Sequence, residues 1–168
     1  MEPAVDITGL YAAHRLPLVR LAVLLVDDVA SAEDVVQDAF AALARRPDAV
    51  RDPSKALAYL RVSVVNTARS ALRRRRTARA YSPPHDVTPA SPEDRAVLAE
   101  EHREVIDALH RLAPRQREVL VLRYWSNLSE AEIARTLDIS QGTVKSTASR
   151  ALVALEKSMR TSSGKEQR

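Results

Sequence analysis

Cysteine is absent from the 168 residues, so disulfide scaffolds, thiolate metal centres and cysteine nucleophiles are excluded. Glycine is scarce. Gly9, Gly142 and Gly164 never cluster, which excludes a phosphate-cradling loop of the P-loop or dinucleotide-binding kind. Aromatic side chains are few, with one Phe, one Trp and four Tyr. Apolar runs such as Leu21–Val26 fall far short of the roughly 20 residues needed to cross a bilayer, so no membrane insertion is expected. Met1-Glu2-Pro3 carries no basic region ahead of an apolar stretch, so no secretory signal is expected and the chain reads as soluble and cytoplasmic. His102 and His110 share a helical segment with Asp107, but without cysteine or a tight i,i+4 pair they predict neither a metal nor a cofactor. No paired carboxylates or nucleophile–base set has supporting spacing, so neither an enzyme nor a small-molecule substrate is expected.

What charge there is lies unevenly. The net value of +4 is mild, but residues 1–80 carry 13 basic and 9 acidic side chains, and residues 100–168 carry 12 and 10. Within the first segment the signs separate: Asp27, Asp28, Glu33, Asp34 and Asp38 precede Arg69, Arg73, Arg74, Arg75, Arg76 and Arg79. An acidic patch followed by a basic one fits a protein surface and then a polyanion. Two solvated helix faces are the plainer alternative.

Pro83, Pro84, Pro89 and Pro92 sit among Ser, Asp, Thr and Ala. Proline removes amide donors and disfavours helix in the residue before it, so this stretch reads as a linker. Both flanks are rich in Ala, Leu, Arg and Glu at helical spacing. The expected fold is therefore all-α: two small helical domains, 1–79 and 96–160, joined by a Pro-rich linker, 80–95, and followed by a disordered tail, 161–168. In the first domain a helix is expected over Leu10–Val26, with Pro17 as a kink or restart. Ser31 and Asp34, three apart, predict a capping box that opens a second helix. That helix would bury Val35, Val36, Ala39, Phe40 and Leu43 and present Asp34, Gln37, Asp38 and Ala41. A third helix, Ser54–Arg76, would bury Leu57, Leu60, Val64, Ala68 and Leu72. Its opposite stripe holds Tyr59, Ser63, Asn66, Ser70 and Arg73: an aromatic ring, two hydroxyls, an amide and a guanidinium in a row. The four arginines from Arg73 to Arg76 exceed what a helix C-terminus needs and read as phosphate contacts.

In the second domain, helices are expected over Glu93–Leu112, Arg115–Tyr124, from the Ser129/Glu132 capping box to Leu137, and Gln141–Met159. Tyr124 and Trp125 read as core. Leu128 to Leu155 has helix-turn-helix spacing. Ile133, Ala134 and Leu137 would pack the first helix, Ile139 would plug the turn, and Val144, Ala148, Ala151, Leu152 and Leu155 would bury the second. At 100° per residue, Lys145, Ser146, Ser149 and Arg150 share an arc of about 140° opposite that side. Short donors and cations at a helix N-terminus are suited to a major groove.

The strings Leu112-Ala113-Pro114-Arg115-Gln116-Arg117-Glu118-Val119-Leu120, Leu128-Ser129-Glu130-Ala131-Glu132-Ile133-Ala134 and Gly142-Thr143-Val144-Lys145-Ser146 resemble region 4 of bacterial RNA polymerase sigma factors. Ala32-Glu33-Asp34-Val35-Val36-Gln37-Asp38-Ala39-Phe40 resembles region 2 of the same proteins, and Val65-Asn66-Thr67-Ala68 its promoter-opening helix. Two regions with a short linker are similar to the extracytoplasmic-function subfamily. The resemblance implies that Asp34, Gln37 and Asp38 dock on the clamp helices of core RNA polymerase. It implies that Tyr59, Ser63, Asn66, Arg69, Arg73 and Arg76 engage the opened −10 strand of promoter DNA, with Asn66 at the base-reading position. It places Lys145, Ser146, Ser149 and Arg150 in the −35 groove and region 4 against the polymerase flap; an anti-sigma factor is a further implied partner. Two positions depart from the pattern: Ser70 stands where many relatives are acidic, and Thr147 where many have arginine, which removes one candidate phosphate clamp. The scarcity of aromatics predicts limited melting capacity and stringent promoter choice. The leading alternative is a stand-alone dimeric helix-turn-helix regulator; an adaptor that mimics a sigma surface fits less well, because it has no use for Lys145 and Arg150.

Overall fold

The computed structural model describes residues 5–81 and 103–163, the side chains of 79–81 and 162–163 excepted. The chain divides between Ser91 and Pro92 into two compact units, each described by itself. All regular structure among the described residues is helical.

The first unit contains α1 (Ile7–Val23), α2 (Val29–Arg45) and α3 (Ala56–Tyr81), with two short 3-10 turns, Pro47–Ala49 and Pro53–Lys55, before α3. Asp6 caps α1 by accepting the Gly9 amide at 2.9 Å. A Cβ on Gly9 would stand 2.3 Å from Asp6 Oδ2, so this glycine makes room for the cap. Pro17 lies inside α1 without ending it. The carbonyl that loses its amide partner is that of Ala13, which is exposed, and water can replace the missing donor there. The helix ends at Val23 rather than Val26, and Leu24, Leu25 and Val26 turn inward as buried residues of the connection.

The core follows the expected pattern on α2, where Val35, Val36, Ala39, Phe40 and Leu43 are buried. They pack against Leu18, Val19, Ala22 and Val23 of α1 and against Ala56, Leu60, Val64, Val65 and Ala68 of α3. The start of α2 differs from expectation. Ser31 is not the cap: Asp28 is, its carboxylate accepting the Ser31 amide at 2.8 Å and the Ser31 hydroxyl at 2.6 Å. Buried Val29 and Ala32 draw the helix start back, so that Ser31 falls at its third position. On α3, Leu57 and Leu72 are half-buried instead of fully buried. The helix continues past Arg76 to Tyr81, because no Pro or Gly interrupts Thr77–Tyr81. It therefore enters the segment expected to be linker; the rest of 80–95 lies outside the described residues.

The second unit contains α4 (Arg103–His110), α5 (Pro114–Tyr124), α6 (Glu130–Leu137) and α7 (Gln141–Ser163). The expected start of α4 at Glu93 lies outside the described residues. Pro114 occupies the first turn of α5 as predicted. The Ser129/Glu132 capping box is complete: Ser129 Oγ accepts the Glu132 amide, and the Glu132 carboxylate accepts the Ser129 amide at 2.8 Å. Hydrogen bonds from the Ser129 amide, then from its hydroxyl, hold the Glu132 carboxyl below the usual range. Asp138 closes α6 in the left-handed conformation, φ 54°, and the Ile139 amide donates to the Ala134 carbonyl at 3.0 Å. Asp is among the residues that tolerate this conformation. Ile139 itself is only half-buried.

Three expectations for this unit need correction. Tyr124 and Trp125 are 52 % and 44 % exposed, not core, because α5 ends there and turns both rings outward. Leu152 is 43 % exposed and Leu155 half-buried: Leu152 stands about 80° round the helix from Val144, at the edge of the buried side. α7 also runs to Ser163, through the start of the expected tail.

Candidate functional site

α2 sorts the acidic run by direction. Asp28 is taken up as the cap, and Glu33 pairs with Arg15 of α1 at 2.7 Å. Asp34, Gln37 and Asp38 remain on the outer face, all exposed, and the two aspartates form no ion pair among the described residues. The core contacts of Val35, Val36, Ala39 and Phe40 fix that face by helical periodicity.

α3 holds the polar stripe. Tyr59 and Ser63 are half-buried at its base, while Asn66, Ser70, Arg73 and Arg76 are exposed. Arg69, half-buried, lies towards the edge of the stripe. Asn66 makes no side-chain hydrogen bond among the described residues, so its amide can both donate and accept. The arginine run divides. Arg75 Nη1 lies 3.2 Å from Asp28 Oδ2, and its Nη2 donates to Ser31 Oγ, so this cation stabilises the start of α2. The run is therefore not four phosphate contacts. Arg75 falls about 160° around the helix from Tyr59, on the side of Val64 and Ala68, and that angle was available from spacing alone. Burial pushes the Asp28 carboxyl up, but the Ser31 hydroxyl and amide and the Arg75 guanidinium more than offset it, leaving the carboxyl below its ordinary value.

In the second unit, α6 and α7 form the helix-turn-helix. The Thr143 amide donates to Ser140 Oγ at 3.1 Å, which starts α7. Val144, Thr147, Ala148 and Ala151 are buried against α4, α5 and α6, and Lys145, Ser146, Ser149 and Arg150 are exposed on the other side. The structure thus brings together all four residues expected there. Thr147 is 5 % exposed, so it faces the interior and its side chain is no substitute for a phosphate clamp. The Ser146 hydroxyl donates to the Thr143 carbonyl at 3.2 Å and so offers its lone pairs outward. Arg150 Nε donates to the Ser146 carbonyl at 3.2 Å, which braces its guanidinium along the helix. A Cβ on Gly142 would touch only Ser140 Oγ, at 3.8 Å, so the first turn presents open space.

Two features have no counterpart in the expected site. Lys145 Nζ lies 3.6 Å from Glu130 Oε2, and Arg123 Nη1 lies 3.4 Å from the other oxygen, so this exposed lysine is linked through α6 to the end of α5. Arg117 is 8 % exposed and donates to the Leu109 carbonyl at 3.0 Å and the His110 carbonyl at 2.7 Å, closing the C-terminus of α4. Neither has a clear sequence signal, since both join elements across a turn. Among the described residues no group of metal-ligating side chains occurs, and no helix is long and apolar enough to cross a membrane.

Comparison with known proteins follows the same division. Residues 10–78 match sigma-70 region 2, and residues 102–155 match sigma-70 region 4. The RNA polymerase sigma-E factor of Streptomyces coelicolor is 39 % identical over 145 residues, covering 84 % of this chain and 79 % of that protein. The extracytoplasmic-function sigma factor SigL of Mycobacterium tuberculosis is 33 % identical over 143 residues, covering 82 % and 80 %. Among solved structures, the sigma factor RpoE of Bartonella quintana, bound to the anti-sigma factor NepR, has the same fold, with a TM-score of 0.71 at 23 % identity over 92 % of this chain and 97 % of that one. CnrH, solved with the cytosolic domain of CnrY, gives 0.58 at 26 % identity over 92 % and 88 %.

Proposed function

The chain belongs to the sigma-70 family of RNA polymerase sigma factors, in its extracytoplasmic-function branch, and on that premise we propose that it binds core RNA polymerase and directs promoter-specific initiation in the cytoplasm. The family is one of non-enzymatic initiation factors. The observation that carries the reading is the separation of three exposed polar faces: an acidic one on α2, a mixed aromatic, amide and cationic one on α3, and a cationic one on α7.

Each face suits one task. Asp34, Gln37 and Asp38 offer a partner protein two carboxylates without internal counter-ions. We assign them to the clamp helices of core polymerase and leave the flap to the second unit. Opening the −10 element costs a few kcal/mol of stacking and pairing per extruded base. Stacking on Tyr59 and contacts from Ser63 and Asn66 to base edges recover it, while Arg69, Arg73 and Arg76 hold strand phosphates. Lys145, Ser146, Ser149 and Arg150 enter the −35 major groove, where phosphate contacts position the helix and base edges specify it. By its likeness to CnrH, which was captured with part of another protein, the chain is also proposed to meet a regulatory partner, an anti-sigma factor. A dimeric regulator acting alone leaves the α2 face without a role.

The test is run-off transcription with purified core polymerase across a promoter library. Discrete transcripts that depend on the added chain support the reading. Failure to produce any, together with tight operator binding by the chain alone as a dimer, replaces it with the regulator.

A further inference from the structure

We propose that Glu130 restrains the duplex-binding face, acting as an internal competitor that holds Lys145 against the pull of DNA phosphates. The inference rests on the groove-binding role proposed for α7.

Glu130 occupies the first turn of α6, where a carboxylate is favoured by the helix dipole. Its two oxygens divide between two cations, Arg123 Nη1 at 3.4 Å and Lys145 Nζ at 3.6 Å. The lysine is 68 % exposed and the carboxylate 28 %, so the pair lies where a phosphate approaching α7 would arrive. Any phosphate that recruits Lys145 must therefore displace a resident anion and tolerate its charge nearby. Phosphate attraction supplies essentially all of non-specific binding, whereas base edges supply discrimination. Subtracting part of one lysine from the electrostatic share therefore lowers affinity for DNA of arbitrary sequence. Glu130 thus positions Lys145 and limits its pull on the DNA backbone. The effect is small per site, because an ion pair this exposed changes an equilibrium by about 1.4- to 5-fold.

The test uses the full chain and a labelled random-sequence duplex of about 30 base pairs, titrated by fluorescence anisotropy from roughly 20 to 150 mM KCl. Wild type, Glu130→Gln, Lys145→Ala and the double variant are compared, with Glu130→Ala as a second route to the same loss of charge should the Gln variant fold poorly. Glu130→Gln is expected to bind about two- to fivefold tighter at low salt. Its plot of log affinity against log salt should steepen by up to about 0.9, one phosphate contact, and both gains should vanish in the Lys145→Ala background. Binding no tighter than wild type overturns the proposal. So does an equal gain without Lys145, which reduces Glu130 to general repulsion. A different result tells against the groove role itself: Lys145→Ala binding as wild type.

Discussion

Arg117→Met isolates the contribution of one buried guanidinium. The substitution keeps most of the side-chain volume and removes the donors that close α4 through the Leu109 and His110 carbonyls, at 3.0 and 2.7 Å. Hydrogen bonds from a charged donor contribute about 1.5–3 kcal/mol each. Leu109 is fully buried, so its carbonyl finds no water, whereas half-buried His110 recovers part of its bond to solvent. Counting the first in full and the second in part gives a loss of about 2–4 kcal/mol. For a unit of this size that corresponds to a fall of roughly 8–32 °C in its melting temperature. Trp125 is the only tryptophan of the chain and lies in this unit, so its fluorescence follows urea unfolding of the unit selectively. Arg117→Lys, which can reach one carbonyl, should fall between wild type and Met. A loss below about 0.5 kcal/mol for Arg117→Met, the range of an ordinary surface substitution, refutes the capping account.

Asp28→Asn keeps a competent helix cap but loses the Arg75 partner, so it should cost the first unit at most about 1 kcal/mol at pH 7. Because the folded carboxyl lies below its unfolded value, its stabilisation is complete above about pH 4 and is lost as pH falls through the lower folded value. Amide exchange in α2 should therefore show a smaller acid loss in Asp28→Asn than in wild type, and an identical acid limb contradicts the assignment. Asp38→Arg should weaken association with core polymerase in a pull-down without changing helicity; unchanged affinity removes Asp38 from the docking face. Asn66→Ala should reduce initiation most at one −10 base position, measured on single-base promoter variants, and a uniform loss across all variants argues against base reading there.

The helical architecture was legible because periodicity carries it. α2 is the clearest case, with the same five apolar residues buried and the same three polar ones exposed. The exposed polar side of α7 was equally readable from angle alone. What escaped were features set by neighbours. Asp28 caps α2 because buried Val29 and Ala32 set the helix start there, and Arg75, 47 residues away, braces it. Thr147 is interior because α7 packs on three other helices, and Trp125 is exposed because α5 stops beneath it. Charge counting also misread the arginine run, since it ignored the angular position that sends Arg75 back to the core side. Nothing in the sequence singles out Glu130; the fold brings Arg123 and Lys145 to its two oxygens.

Dependence on core polymerase is the measurement that bears most directly on the whole account. The purified chain is titrated against core enzyme and promoter fragments, separately and together, with both associations followed at equilibrium. The predicted outcome is stable assembly with core and selective promoter occupancy only once that assembly has formed. Absence of any core complex, alongside specific occupancy of a duplex by the chain alone, contradicts it.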